Sequence, residues 1–393
     1  MKTVRKRWAA LAASSFLVAG IGVAATTPAA SAAPSPQRAN ACGAATRHGH
    51  IAGIIPAVSK TRCPASPRKA SAPAGGAPKA SDPARGTPPL LYHGGPVMMT
   101  ASTGPLVVTP IYWSPSAYTI SSSYSSAINQ YFTDVAAASG QTSNVFSVAN
   151  EYSGTNGQIS YAAQAGAPIT DTSALPSSGC TVASRDRTGI YSDGTGYSAC
   201  LDDAQLQTEI NKVTSANGLP RNLSHIYVLF LPKGVESCFN PGGTTTSANQ
   251  CTVNHEPSAT YCAYHSYASS TVYANMPYPV YQSGTGYTCG SDSSLGAIQA
   301  PNGNAAADTE ISPTSHEVNE AVTDPDTTTG WYDSSGYENG DECAYVYGGT
   351  QGTSGALYNQ VINGHHYLTQ EEFSNNDFGV TGAGCVQSSS AES

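Results

Sequence analysis

The chain has 393 residues, with 26 Asp and Glu against 17 Lys and Arg, and a formal charge of −9. The charge is unevenly placed, because residues 1–88 hold 12 of the basic side chains and only one acid, whereas residues 89–393 hold 25 acidic and 5 basic residues. A region with a formal charge of −20 repels polyanions, so nucleic acid and anionic membranes are excluded as its electrostatic partners.

The N-terminus has the three parts of a secretory signal peptide. Four basic residues lie within residues 2–7, an apolar run covers residues 9–25, and Ala30-Ser31-Ala32 is a small-x-small cleavage site. We therefore predict a signal peptide over residues 1–32 and a secreted, extracellular protein. No other segment approaches the roughly 18 apolar residues that span a bilayer, so no membrane association is expected after cleavage.

Residues 33–89 are rich in Pro, Ala, Ser and Gly and poor in large apolar side chains. Such a segment buries too little apolar surface to offset the entropy of ordering it, so we predict a disordered arm. The basic charge of the arm permits binding to an anionic cell-wall polymer. A solvated linker is the simpler interpretation.

Residues 90–393 are long enough for one domain with a substantial core. The predicted elements are a strand at Pro105–Trp113, a helix near Ser122–Ala138, a strand at Asn144–Tyr152, a helix at Asp202–Ser215, a buried strand at His225–Leu231 and a more exposed strand at Thr271–Tyr281. This alternation predicts an α/β or α+β fold, with a single mixed-sheet domain flanked by helices.

The ten cysteines include no C-x-x-C pair, and an even count in an exported chain favours disulfide bonds. Pairing each cysteine with its neighbour predicts the bonds Cys42–Cys63, Cys180–Cys200, Cys238–Cys251, Cys262–Cys289 and Cys343–Cys385. Each bond closes a loop of a few tens of residues and is expected to contribute about 3–4 kcal/mol.

The main functional motif is Ser-His-Glu-Val-Asn-Glu at residues 315–320. Ser312-Pro313 is typical of a helix start, and the Asp324-Pro325 pair predicts its end near Thr323. On such a helix His316 and Glu320 project from one face, with Glu317 beside them. The pattern H-E-x-x-E differs at one position from the zinc-hydrolase helix H-E-x-x-H, in which the first Glu is the general base.

The charge pattern around this helix also predicts a bound cation. Residues 234–393 contain 17 Asp and Glu and no Lys or Arg, and ten of the acids lie between Asp308 and Glu342. Crowded carboxylates require solvent, protons or a cation. We predict His316 and Glu320 as metal ligands and Glu317 as catalytic base, with a further ligand from a set of three: Glu338, Asp341 and His265.

Zinc is the metal that the motif favours, and a peptide is the substrate that a zincin-like hydrolase implies. Glu320 in place of a second His makes the site richer in oxygen, so calcium and manganese remain alternatives. The Asp324-x-Asp326-x-Thr328 spacing resembles the start of an EF-hand calcium loop. Gly330, however, lies one position too late for that loop.

Several short segments resemble the phosphate-induced, EXORDIUM-like family of extracellular proteins. They are Leu91–Met98, Val107–Trp113, Cys262–Ser266, Ala300–Gly303, Ala321–Pro325, Gly330–Tyr332, Cys343, Tyr347–Gly348 and Cys385. The resemblance covers most of residues 90–386. It implies an exported or wall-associated protein that is linked to growth regulation in plants and has no agreed enzymatic activity.

The chain departs from the plant pattern at His316, Glu317 and Glu320, where the plant proteins have an apolar helix, whereas His265 is shared with that pattern. Two hypotheses follow. The first is an exported metal-dependent hydrolase, similar to a zincin peptidase. The second is a non-catalytic extracellular protein that binds a partner or a cell-wall polymer, with a structural metal or none.

Overall fold

The computed structural model describes residues 88–389, except residues 178, 183–186, 240–249, 253–258, 283–285, 292–294, 296–297 and 335. All described residues belong to one compact unit. The predicted signal peptide, the predicted arm up to residue 87 and the predicted Cys42–Cys63 bond lie outside them. In the described part the fold is mixed α and β, with several sheets.

The helices are α1 (Ser122–Ala137), α2 (Asp203–Ala216), α3 (Ala305–Thr323) and α4 (Asn375–Thr381), with 3-10 helices at Val145–Glu151 and Asp341–Cys343. The strands are β1 (Leu91–Tyr92), β2 (Leu106–Trp113), β3 (Ser153–Gly154), β4 (Gly157–Gln158), β5 (Ala163–Ala165), β6 (Ile169–Asp171), β7 (Ala199–Asp202), β8 (His225–Phe230), β9 (Val235–Cys238), β10 (Cys251–Thr252), β11 (Ala259–Tyr261), β12 (Tyr264–Ala268), β13 (Thr271–Met276), β14 (Tyr281–Gln282), β15 (Gly286–Tyr287), β16 (Trp331–Tyr332), β17 (Gln360–Ile362), β18 (His365–Tyr367), β19 (Glu372–Phe373) and β20 (Cys385–Val386).

The largest sheet has six strands in the order β12-β13-β8-β2, followed by β5 and β6, which both pair with β2. The pairings of β2, β5, β6, β8 and β13 are parallel, and only β12 runs antiparallel to its neighbour. Parallel strands are normally covered on both faces, which explains why β8 and β13 are buried almost throughout.

Alternate side chains of this sheet enter two separate cores. Val228 and Phe230 pack with residues of α1 and α3, whereas Tyr227 and Leu229 pack with residues of α2. This division follows the two-residue period of a strand. The sheet is therefore the middle layer, with α1 and α3 on one face and α2 on the other.

A second sheet has four strands in the order β11-β10-β9-β7. Disulfide bonds brace this region and the rest of the domain: Cys180–Cys200, Cys238–Cys251, Cys262–Cys289 and Cys343–Cys385. These four bonds confirm the neighbour pairing for every predicted pair in the described residues.

Two of the predicted strands differ in the structure. Residues 145–151 form a 3-10 helix, because the Asn144 side chain accepts a hydrogen bond from Phe146 N and caps a helical turn. Residues 271–276 form a strand that is buried along its whole length, not exposed, because helices cover both faces of the sheet.

No helix within the described ranges is both long enough and apolar enough to cross a membrane.

Candidate metal centre

Helix α3 carries the predicted motif and starts earlier than the sequence pattern indicates. Its N-cap is Asn304, whose side chain accepts a hydrogen bond from Ala307 N, so Ser312 and Pro313 lie inside the helix. Proline in a helix interior removes one backbone hydrogen bond. Burial outweighs this cost, because every residue from Ala306 to Thr323 is buried.

The motif residues of α3 lie as the spacing predicts. His316 and Glu320 face each other one turn apart, with 2.8 Å between His316 Nε2 and Glu320 Oε1. Among the described residues, neither ring nitrogen of His316 has a partner in hydrogen-bond geometry. His316, Glu317 and Glu320 are 0% exposed, and each offers one ligand atom within 4.8 Å of the other two.

His265 enters the centre from β12, the edge strand of the large sheet. Alternation along β12 places Tyr264 in the core beneath α2 and turns His265 towards α3. His265 Nε2 donates to the carbonyl oxygen of Asp324 at 3.0 Å, so in the neutral ring Nδ1 is the acceptor in its hydrogen bond with the Glu317 carboxyl group. Nδ1 lies 3.3 Å from Glu317 Oε2 and 3.6 Å from Glu320 Oε2.

Glu338 and Asp341 approach from the turn before the 3-10 helix at Asp341–Cys343. Glu338 Oε1 lies 3.9 Å from His265 Nε2, and Asp341 Oδ1 lies 3.7 Å from His316 Nε2. His265, Glu320 and Glu338 form a second group with ligand atoms within 4.8 Å of one another. The Cys343–Cys385 bond anchors this turn, and Asp341 N donates to Glu320 Oε1 at 2.9 Å.

Gly340 allows the turn to approach the helix. A Cβ atom at this position would lie 2.8 Å from His316 Nδ1 and 2.9 Å from Glu320 Oε1. Both distances are shorter than real Cβ contacts, so any side chain here would displace the histidine or the turn. Gln370 fixes the same turn by donating to Gly340 O at 2.7 Å.

The centre has an unusual number of buried polar atoms without a hydrogen-bond partner among the described residues. They are Glu317 Oε1, Glu320 Oε2, both carboxylate oxygens of Glu338, Asp341 Oδ1 and both ring nitrogens of His316. An unpaired buried acceptor costs about 1–3 kcal/mol, and more when it is charged. Carboxylate oxygens and imidazole nitrogens are also the atom types that bind divalent metals in proteins.

Burial has the largest effect on the pKa values of the acidic residues in the centre. It raises the pKa of Glu317, Glu338 and Asp341 well above the ordinary range, and the neighbouring charge of Glu320 raises each further. Burial also acts on Glu320, but His316 and His265 outweigh it and lower the pKa of that carboxyl. Glu320 is therefore the carboxylate that most readily keeps its charge.

Basic side chains do not neutralise the centre. The described residues contain two lysines and two arginines: Lys212 pairs with Asp171 and Glu209, and Lys233 pairs with Asp193. Arg221 donates to Asn211 O and Arg187 to Val182 O. All four cations of the described chain are thus engaged outside the centre.

The structure brings together all six candidate residues of the sequence, and it adds residues that no sequence pattern had indicated. Glu372 is buried, and Glu320 and Asp341 add to the effect of burial in raising its pKa. Asn339 connects Glu372 to α3, because it donates to Glu372 Oε2 and accepts from Thr323 Oγ1. In the sequence, only the high density of acidic residues suggested Glu372 as part of the site, and no local pattern indicated Gly340.

The EF-hand interpretation finds no support in the loop after α3. Asp326 Oδ1 accepts hydrogen bonds from Thr328 and Thr329, and Asp324 Oδ1 accepts from Thr327 N. These oxygens close turns of the chain.

No protein-family model, no curated protein and no solved structure matches this chain.

Proposed function

We propose that the chain is an exported hydrolase that depends on a divalent metal, with the metal ligands drawn from His316, Glu320, His265, Glu338 and Asp341. One observation carries this proposal. Buried ligand atoms from α3 and from the turn at residues 338–341 face one another without hydrogen-bond partners in the described residues, and no described basic side chain neutralises them. A divalent cation stabilises such a set, because it supplies both the charge and the missing partners.

The ligand types support zinc as the metal, with manganese as the closest alternative. Imidazole nitrogens suit zinc, whereas carboxylate-rich sites also accept manganese. Calcium prefers oxygen ligands alone, so two histidines argue against it. The hydrogen bond from His265 Nε2 to Asp324 O supports the assignment further, because metal-bound histidines usually donate their other ring N–H to a carbonyl or carboxylate.

Glu317 is the residue that we propose as the general base. It follows the ligand His316 directly, its Oε2 lies 3.3 Å from His265 Nδ1, and its Oε1 has no hydrogen-bond partner in the described residues. A metal lowers the pKa of bound water. Glu317 would take the proton from that water, hydroxide would add to the carbonyl carbon of a peptide, and Glu317 would return the proton to the leaving amine.

Hydrolysis is tested with the full exported chain and a mixed peptide library, comparing the wild type with Glu317→Gln. We expect the variant to keep its metal and to lose activity by about 10²–10⁴-fold, the usual contribution of a general base. Glu310→Gln is the matched control. Glu310 is buried on the same helix, and burial alone raises its pKa, so its variant should keep both metal and activity. Full activity in Glu317→Gln would reject Glu317 as the base.

A second candidate is a non-catalytic extracellular protein in which the metal holds the fold together. The burial of the centre favours this role, since His316, Glu317 and Glu320 are 0% exposed and Glu338 is 1% exposed. An ion here would join β12, α3 and the turn at residues 338–341. In that case chelation should lower the melting temperature, while Glu317→Gln should change no activity against any peptide or wall polymer.

A further inference from the structure

The two carboxylate oxygens of Glu320 face different histidines. Oε1 lies 2.8 Å from His316 Nε2, and Oε2 lies 3.6 Å from His265 Nδ1. Glu320 sits at the middle of the centre, because it belongs to both groups of ligand atoms that lie within 4.8 Å of one another. A carboxylate in this position can bind one ion through each oxygen.

Each side of Glu320 also has its own terminal carboxylate. On one side, Asp341 Oδ1 lies 3.7 Å from His316 Nε2 and has no hydrogen-bond partner in the described chain. On the other side, Glu338 groups with His265, and both of its oxygens lack such partners. One histidine, one terminal carboxylate and one oxygen of Glu320 are therefore available on each side.

The charges favour a second ion. The centre contains the carboxylates of Glu317, Glu320, Glu338 and Asp341, with the buried Glu372 beside them, together with two imidazoles that must be neutral to bind a metal. When these carboxylates are ionised, one divalent ion compensates only two of them and a second ion compensates two more. Buried charge that is not compensated is costly.

From these distances and charges we infer that the centre holds two divalent metal ions bridged by Glu320, one bound by His316 and Asp341 and the other by His265 and Glu338. The inference rests on the metal site of the proposed function and specifies its nuclearity. The ions of two-metal hydrolytic sites lie about 3.5–4 Å apart, and such a pair would polarise the substrate carbonyl and activate the attacking water. Glu317 remains beside the bridge as the base.

The inference is tested by counting metal ions per chain. The full exported chain is equilibrated with Zn²⁺ or Mn²⁺, freed of excess ion by gel filtration, and analysed by plasma mass spectrometry. Two ions per chain are expected. One ion per chain would overturn the two-ion inference and leave the metal site of the proposed function standing, whereas no bound ion would overturn both.

Variants locate the two ions. His316→Ala and His265→Ala are each expected to lower the count from two to one, and Glu320→Gln should lower it below one. His365→Ala is the control, because the half-exposed His365 pairs with the buried Asp134 and belongs to neither group of ligand atoms, so the count should stay at two. A count of two that persists in both His316→Ala and His265→Ala would place an ion elsewhere and overturn the inference.

The electron paramagnetic resonance spectrum of the Mn²⁺-loaded wild type gives a readout that is independent of any variant's folding. An exchange-coupled pair is expected. The six-line spectrum of isolated Mn²⁺ at full occupancy would contradict the bridge.

Discussion

The large sheet has a buried carboxylate site on each face, and β12 contributes neighbouring residues to both. On the α2 face, Asp203 accepts hydrogen bonds from Tyr264 Oη at 2.6 Å, from Tyr273 Oη at 2.7 Å and from Gln207 Nε2 at 2.7 Å. On the α3 face, His265 meets carboxylates whose oxygens are mostly without hydrogen-bond partners in the described chain.

The contrast shows that burial of an acid does not by itself indicate a metal site. Burial raises the pKa of Asp203, and its tyrosine hydroxyl donors partly oppose this by stabilising the charged form. Asp203 also lies in the first turn of α2, where the helix dipole favours an anion. The α3 site lacks comparable donors and has histidines instead, which are metal ligands. Its unpaired oxygens, and not its acidity, distinguish it.

The largest effect should come from removing the carboxylate of Glu320, which lies between two histidines on the α3 face of the sheet. Glu320→Gln is expected to abolish tight metal binding, since it removes the charge common to both histidines. Asp203→Asn, a buried acid-to-amide change on the opposite face, should leave the metal content unchanged. Isothermal titration calorimetry measures the affinity of both variants for Zn²⁺. Equal affinities would contradict a metal site that lies on the α3 face alone.

Chelation should produce the next largest effect. A ligand present at 100 times its dissociation constant stabilises the folded state by about 2.7 kcal/mol. For a domain of this size that corresponds to a fall of roughly 4 °C in melting temperature on metal removal. Calorimetry with and without a chelator measures the shift, and added Zn²⁺ should reverse it. Glu320→Gln should show no chelator response.

Gly340 offers a test of the approach between the turn and α3. Gly340→Ala should weaken metal binding by about 10–100-fold, the range typical of residues that position metal ligands, because its Cβ would press on His316 and Glu320. Gly349→Ala is the matched control, since nothing lies within 4 Å of a Cβ at that position. Similar metal affinities in the two variants would show that the close approach of Gly340 to α3 does not determine binding.

The smallest effect concerns Asp308, an acid of α3 whose oxygens accept backbone and side-chain N–H groups of Asn302 and the backbone N–H of Asn304. Burial raises the pKa of Asp308 from 3.8 to about 6. The folded state thus holds this proton more tightly than the unfolded state, so the stability contribution is present below about pH 4 and is lost as pH rises through about 6.

The Asp308 contribution can be isolated by urea denaturation of the wild type and Asp308→Asn at several pH values. The stability of the wild type relative to the variant should fall by about 1–3 kcal/mol between pH 4 and pH 7. A difference that stays constant across this range would contradict the raised pKa.

Local patterns in the sequence were sufficient for much of the fold. The apolar run at residues 225–231 predicted a buried strand, and the cysteine order predicted four disulfide bonds that the structure contains. The sequence pattern wrongly predicted a strand at residues 145–151. A short apolar run fits a strand and a helix equally well, and here the side-chain cap of Asn144 favours the helix. The pattern also misjudged the exposure of β13, which depends on helices distant in sequence.

The candidate site also has a part that local sequence patterns predict and a part that they do not. Helix spacing alone predicts that His316, Glu317 and Glu320 are neighbours, because they lie within one helical turn of each other. The sequence could only offer His265, Glu338 and Asp341 as alternatives, because their position depends on how β12 and a disulfide-anchored turn pack on α3. Gly340 and Glu372 carry no local signal, and only the packed structure places them at the centre.

The most direct test is anomalous diffraction at the zinc and manganese edges from crystals of the protein, purified without chelator and equilibrated with the ion. The account predicts an anomalous peak within about 2.0–2.3 Å of His316 Nε2 and a Glu320 oxygen. Only water at this position, or a direct hydrogen bond between His316 and Glu320 with no peak, would contradict the metal centre.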